Sequence, residues 1–184
     1  GRTSLCVSSQ IGCGRACRFC ETGRMGFLDN LSVVEIVGQV VLARTLATKD
    51  SPAPQAAVFM GMGEALDNTD SLIQVLRVLN DSTGLRYAQD RLTVCTVGHV
   101  DGIRRLRELG WKRLNLSLSL NAANDELRQS LMPINRTWPL AEVQAALVEF
   151  RQRPNFQVGI NYCLMPDIND QREHAAEIAR FCEP

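Results

Sequence analysis

An excess of charge of either sign is missing from this sequence: 20 Lys and Arg balance 20 Asp and Glu, a formal net charge of +0. No global field steers the molecule onto nucleic acid, so any such contact has to come from a local patch. Long apolar runs are also missing, and none approaches the roughly 20 residues of a membrane-spanning helix. Nothing at the start reads as a secretion signal, because no basic segment leads into an apolar one. Histidine is scarce. His99 and His174 both lie far along the chain from the clustered cysteines, so a mixed Cys–His zinc site lacks its usual neighbours. Even, dispersed cysteine pairs are absent as well: the count is seven, and three of them are crowded together. That argues against a secreted disulfide framework and for thiolates ligating metal in a reducing, cytoplasmic setting.

What is present is alternation. At 184 residues the chain fits one domain with a substantial core. Short β-rich runs are predicted at 5–9, 57–63, 92–97, 113–120 and 156–165, with helical patterns between them at 31–47, 70–81, 101–110, 124–132, 140–153 and 170–182. Ser32 and Glu35 have the spacing of a capping box, and Val33, Ile36, Val37, Val40 and Val41 recur at helical intervals. Gly110 is placed to stop one helix, Pro133 to end another, and Pro139 to open the next. In "RLNLSLSL" the residues Leu114, Leu116, Leu118 and Leu120 share one face. Five βα units in succession predict an α/β fold with a parallel sheet, right-handed crossovers and helices over it. The last strand is expected to need a further neighbour, because an unpaired parallel edge is a liability.

The stretch "LCVSSQIGCGRACRFCETGRMGF" carries Cys6, Cys13, Cys17 and Cys20, the last three spaced C-x3-C-x2-C. Gly12, Gly14 and Gly23 permit the backbone turns that point several thiols inward. Three readings stand side by side: buried small hydrophobes, a zinc or redox site, or an iron–sulfur centre. A cubane takes four ligands as a rule, so three cysteines suit a cluster with one iron open to a reactant. Phe19 before the third cysteine adds to the signal for enzymes that use S-adenosylmethionine (SAM) in radical chemistry. Cys163 and Cys182 read as buried small hydrophobes.

"CVSSQIGCGRACRFCETGRMGF", "GMGEALDN", "SLSLNAANDELRQSLMPINR" and "IND..EHA" together resemble, in order and over essentially the whole chain, the RlmN/Cfr family of radical-SAM adenine methyltransferases. The resemblance implies a partial (βα) barrel of TIM type with its site at the carboxyl ends of the strands. It implies that Cys13, Cys17 and Cys20 ligate a [4Fe–4S] cluster whose open iron chelates SAM. Gly63 and Glu64 would hold the SAM amino end, and Cys95, Ser119, Leu120 and Asn121 would add further contacts. Cys6 would be the thiol that resolves a methyl-cysteine adduct by disulfide formation. The implied partners are RNA, namely 23S rRNA and tRNA, and an electron donor such as flavodoxin or ferredoxin.

Departures from the family pattern are Ala65 for a proline, Cys95 for a serine and Asn121 for a histidine, the last two altering hydrogen-bonding groups beside the nucleoside. The family's N-terminal accessory domain, sixth strand and methyl-carrying cysteine are expected to fall outside residues 1–184, so this chain alone should not complete turnover. A radical-SAM enzyme of another reaction class and a non-catalytic barrel with a structural metal are the competing readings. Arg15, Arg18 and Arg24, and further on Arg104, Arg105, Arg107, Lys112 and Arg113, are candidates for RNA phosphates or ordinary solvated faces. "AANDELR" reads as a capped helix, with Asn124 or Asp125 as the cap.

Overall fold

The computed structural model describes residues 3–151, 153 and 155–183. Its first third contains β1 (Ser4–Cys6), β2 (Gln10–Gly12), α1 (Glu21–Met25), β3 (Phe27–Asn30) and α2 (Val33–Thr45). Then follow β4 (Ala56–Phe59), α3 (Thr69–Asn80), β5 (Leu92–Thr96), α4 (Val100–Arg107) and β6 (Asn115–Ser119). The chain continues through α5 (Asp125–Leu131), α6 (Leu140–Phe150), β7 (Gly159–Asn161) and α7 (Arg172–Cys182). A parallel five-stranded sheet runs β1-β4-β5-β6-β7, and β2 pairs with β3 in a separate antiparallel hairpin. The predicted α/β architecture of five βα units is the observed one.

Register divides the sheet into two unlike faces. Cys6 lies opposite Val58, Val58 opposite Thr93 and Thr93 opposite Asn115, so these residues and their i+2 neighbours Cys95, Ser117 and Ser119 share one face. The other face carries Ala57, Phe59, Leu92, Val94, Leu116 and Leu118, each no more than 2% exposed. It packs on Ile36, Val40, Leu72, Leu76, Ile103, Val143 and Ala146 from the helices. Leu114 and Leu120 join that core, as the period-two pattern predicts. The helices thus cover one side of the sheet, and the inner side is polar.

Local signals act as expected at several points. Glu35 N–H donates to Ser32 Oγ and Ser32 N–H to Glu35 Oε2, closing the capping box. Asn124 caps α5 by accepting from Leu127 N–H at 2.8 Å. Other signals shift. Pro139 is the N-cap of α6 rather than its first helical residue, and α4 ends at Arg107, before the turn in which Gly110 sits at φ 67°.

The strand predicted over 156–165 shrinks to Gly159–Asn161. Beyond it Cys163 N–H is diverted to the Asn121 side chain and leaves the ladder. Neither the β2–β3 hairpin nor α1 was legible, because β3 is exposed throughout and shows no alternation. Cys163 and Cys182 are exposed, against expectation: one lies past the edge strand, and α7 buries none of its residues. Among the described residues no helix is long and apolar enough to cross a membrane.

Candidate active site at the carboxyl ends of the strands

The cysteine loop is suspended from the hairpin. Cys13 N–H donates to Gly26 O at 2.9 Å, and Gly12, at φ 75°, sits where a Cβ would overlap that same carbonyl oxygen. Only glycine fits there. Ala16 takes φ 51°, Cys20 N–H returns to Cys17 O, and Arg18 N–H reaches Leu131 O at 2.9 Å. Cys17 is thereby buried against Ala122, Leu131, Met132 and Ile134, while Cys13 and Cys20 stay half-buried.

Burial pushes the Cys17 thiol up to about 12, with the charges of Cys13 and Cys20 adding to the effect. Burial likewise raises Cys13. Buried thiols such as Cys13 and Cys17 resist ionisation unless a positive centre compensates them. Among the described residues no three His, Cys, Asp or Glu side chains draw close enough for a single metal ion. A four-iron cubane is a larger body than one ion, and three free thiols without a histidine suit three of its irons, leaving the fourth open. The residues fit that group.

Facing the loop is the turn after β4. Gly63 has φ 95°, and a Cβ there would come within 2.5 Å of Gln10, whose Oε1 accepts from Glu64 N–H at 2.9 Å. Glu64 is 3% exposed and accepts from Leu66 N–H at 3.1 Å and Val97 N–H at 2.8 Å. Burial holds its carboxyl above the usual carboxylate range; the Val97 amide, the Thr96 hydroxyl and Leu66 N–H pull the other way. Backbone donors thus fix the orientation of this buried carboxyl.

Cys6 ends β1 on the inner face and is exposed. Cys95 is buried on the same face, pushed up to about 12 by burial and then by the nearby Glu64 and Cys6 charges, with Ser117 opposing. Ser119 ends β6 beside Asn161, with its carbonyl 3.5 Å from Arg128 Nη2. Leu120 and Asn121 have other duties. The Leu120 side chain belongs to the core, its N–H donates to Asn161 O and its carbonyl accepts from Arg128. Asn121, at φ 56°, accepts from Cys163 N–H at 2.9 Å and directs its Nδ2 to the Met132 sulfur at 3.5 Å. Cys13, Cys17, Cys20, Gly63, Glu64, Cys95, Ser119 and Cys6 line one end of the sheet, and Leu120 and Asn121 brace it.

Several bracing residues escaped the sequence reading. Arg15, a candidate for phosphate contact, turns inward: it forms a two-pronged ion pair with Asp67 and lies 6.0 Å from the Trp138 ring. His99 stacks on Trp138 at 4.4 Å, approaches Asp67 at 3.5 Å and caps α4 by accepting from Gly102 N–H. Asn169, within "IND", donates to Asn121 O and Cys163 O and accepts from Met165 N–H, knitting the ends of β6 and β7 together. Arg128 is fully buried in the segment read only as a capped helix. A polar residue inside an otherwise ordinary motif was the one available hint. The outer arginines behave as solvated charges: Arg104 pairs with Glu149, Arg105 with Asp70, Arg113 with Asp90 and Arg24 with Glu21.

Comparison with known proteins bears on this arrangement. The family model described as "Radical SAM superfamily" matches residues 7–181. The chain belongs to that superfamily. This radical SAM chain is 44% identical over 178 residues to the "Probable dual-specificity RNA methyltransferase RlmN 1" of Protochlamydia amoebophila, covering 97% of itself and 49% of that protein. It is 42% identical over 182 residues to the "Dual-specificity RNA methyltransferase RlmN" of Syntrophobacter fumaroxidans, covering 98% of itself and 52% of the relative. It therefore spans about half the length of the curated relatives it matches. Its fold follows the crystal structure of a radical SAM methyltransferase from Sphaerobacter thermophilus with a TM-score of 0.94 and 38% identity, over 99% of this chain and 53% of that one.

Proposed function

We propose that this radical SAM chain is the cluster- and SAM-binding core of an RNA methyltransferase of the RlmN kind, acting on adenine C2 of 23S rRNA and of tRNA in the cytoplasm. One observation carries the reading: a glycine-hinged loop of three cysteines lies within electrostatic reach of a buried acid, Glu64, whose orientation is fixed by backbone donors. The similarity to RlmN-named proteins over nearly all of the chain supports the substrate class.

Cys13, Cys17 and Cys20 would hold a [4Fe–4S] cluster, which would supply the one-electron chemistry that an unreactive adenine C2 requires. The residues of this chain bind and orient. Glu64 receives the SAM ammonium as a charge-assisted hydrogen bond. Gly63 lets the backbone approach, and Cys95 and Ser119 border the nucleoside on the polar inner face. Leu120 and Asn121 contribute by shaping the floor.

Cys6 is the resolving nucleophile. Its thiolate attacks the sulfur of the methyl-carrying cysteine, an S–S bond forms, and the C–S bond to the product breaks with its electrons passing to the product carbon, which takes up a proton to become the methyl group. The electron donor is a small redox protein of the flavodoxin or ferredoxin kind.

The test is anaerobic reconstitution of the full natural chain with iron and sulfide, followed by electron paramagnetic resonance. A cluster signal that shifts on adding SAM is expected, and a colourless zinc protein would sink the reading. In the same chain Cys6→Ala should accumulate a covalent protein–RNA adduct; normal turnover removes Cys6 from the mechanism. A second reading, a radical SAM enzyme with another acceptor, draws on Cys95 and on the Asn121 side chain, which is already engaged by Cys163 N–H. Absence of new 2-methyladenosine by mass spectrometry, after expression in a strain lacking the native activity, selects that alternative.

A further inference from the structure

Arg128 is the bulkiest side chain with no exposure at all. Its donors meet only neutral oxygens: Nε reaches Leu120 O at 3.1 Å, Nη1 reaches Asn135 Oδ1 at 2.9 Å, and Nη2 reaches Val97 O at 2.6 Å and Ser119 O at 3.5 Å. None of the ion pairs among the described residues includes it. A fully buried charge is ordinarily paired, because taking it out of water is costly. Asp125 is reached only through Asn135, which donates to Asp125 Oδ1 at 2.8 Å; Leu140 N–H takes up the same oxygen.

On its other side stands the cysteine loop. Val97, whose carbonyl holds Nη2, packs against the cluster of side chains that contains Cys17. Met132 N–H donates to Arg128 O at 2.7 Å, and the preceding Leu131 carbonyl anchors Arg18 beside Cys17. The cation is therefore built into the floor beneath the thiols. Its acceptors are neutral oxygens that offset its field only in part, and its charge acts on Cys17.

We propose that Arg128 is a positioning residue that ties the carboxyl ends of β5 and β6 to α5 and, through its unpaired positive charge, raises the reduction potential of the cluster held by Cys13, Cys17 and Cys20. This rests on those three cysteines being the ligands. A cubane with three thiolates is anionic and gains another negative charge on reduction, so a fixed cation in low dielectric favours the reduced form. The same charge also suits a loop that concentrates three thiolates.

The experiment is a redox titration of the reconstituted full natural chain followed by electron paramagnetic resonance, with iron content and thermal melting measured on each sample. Arg128→Met should lower the reduced-to-oxidised ratio at a fixed potential at least tenfold, which is about 59 mV for a one-electron couple. Arg128→Lys keeps the charge but cannot span the carbonyls. It should melt lower while its midpoint stays near that of the unaltered protein. Asp125→Asn preserves an oxygen acceptor for Asn135 and Leu140 and removes the acid behind the cation, so its midpoint should move upward.

A tenfold shift in Arg128→Met that Arg128→Lys does not share supports the proposal. Equal shifts in the Lys and Met variants overturn it, since charge is then not the cause. So does an unmoved midpoint in Arg128→Met at normal iron content. If that variant does not fold, an unmoved midpoint in Asp125→Asn overturns the proposal in its place. Should the unaltered protein take up no iron, the reading of the cysteines as ligands falls, and this inference falls with it.

Discussion

The two faces of the central sheet are made of the same five strands and do opposite work. The face under the helices is aliphatic, with Leu92, Val94, Leu116 and Leu118 at 0–1% exposure. The inner face presents Thr93, Cys95, Asn115, Ser117 and Asn161, with Asn161 Nδ2 donating to Ser117 Oγ at 2.8 Å. Burial on one side supplies stability; hydrogen-bonding groups and thiols on the other supply a place for chemistry. A fold that covers its sheet from one side can vary the inner face with little cost to its core.

The sharpest way to break this contrast is to exchange the insults. Leu118→Ala on the covered face should cost about 2–5 kcal/mol, the transfer term plus the cavity left behind. Thr93→Ala on the inner face should cost less than about 1 kcal/mol, since it touches mainly strand propensity. Urea unfolding of both variants measures the difference, and equal losses would erase the distinction.

Next in size is Glu64→Gln. It removes the charge proposed to receive the SAM ammonium but keeps an oxygen for Val97 N–H. SAM affinity by calorimetry should fall at least tenfold, about 1.4 kcal/mol. Stability should fall little, because burial already disfavours this carboxylate. For the same reason SAM should bind less tightly as pH falls through the raised Glu64 pKa, where the carboxylate takes up its proton.

The smallest effects belong to the outer surface. Gly38 lies inside α2, and a methyl group added to its Cα would meet nothing within 4 Å, so Gly38→Ala should stabilise by about 0.4–1 kcal/mol. Arg113→Ala breaks an exposed pair with Asp90 and should stay within about 0.5 kcal/mol on thermal melting.

Much of the architecture was legible because it rests on local periodicity. The five strands, the α2 capping box and the Asn124 cap each depend on residues a few positions apart. The hairpin was not legible, since β3 is exposed throughout and the buried positions of β2 are Gln10 and Gly12 rather than apolar side chains. In the site, cysteine spacing and "GMGE" pointed to residues that the fold brings to one end of the sheet. The same reading could not tell that Leu120 and Asn121 are braces, that Arg15 faces inward, or that Cys163 is exposed.

The order of side chains along the chain was enough by itself to specify alternating strands and helices and to crowd three thiols onto a glycine-hinged loop, because periodicity and spacing are properties of neighbours. Only the tertiary structure decided what stands behind that loop. Arg128 meets Val97 from a stretch 31 residues away in sequence, and the partners of a buried charge are set by how the strand ends converge, which no local pattern encodes.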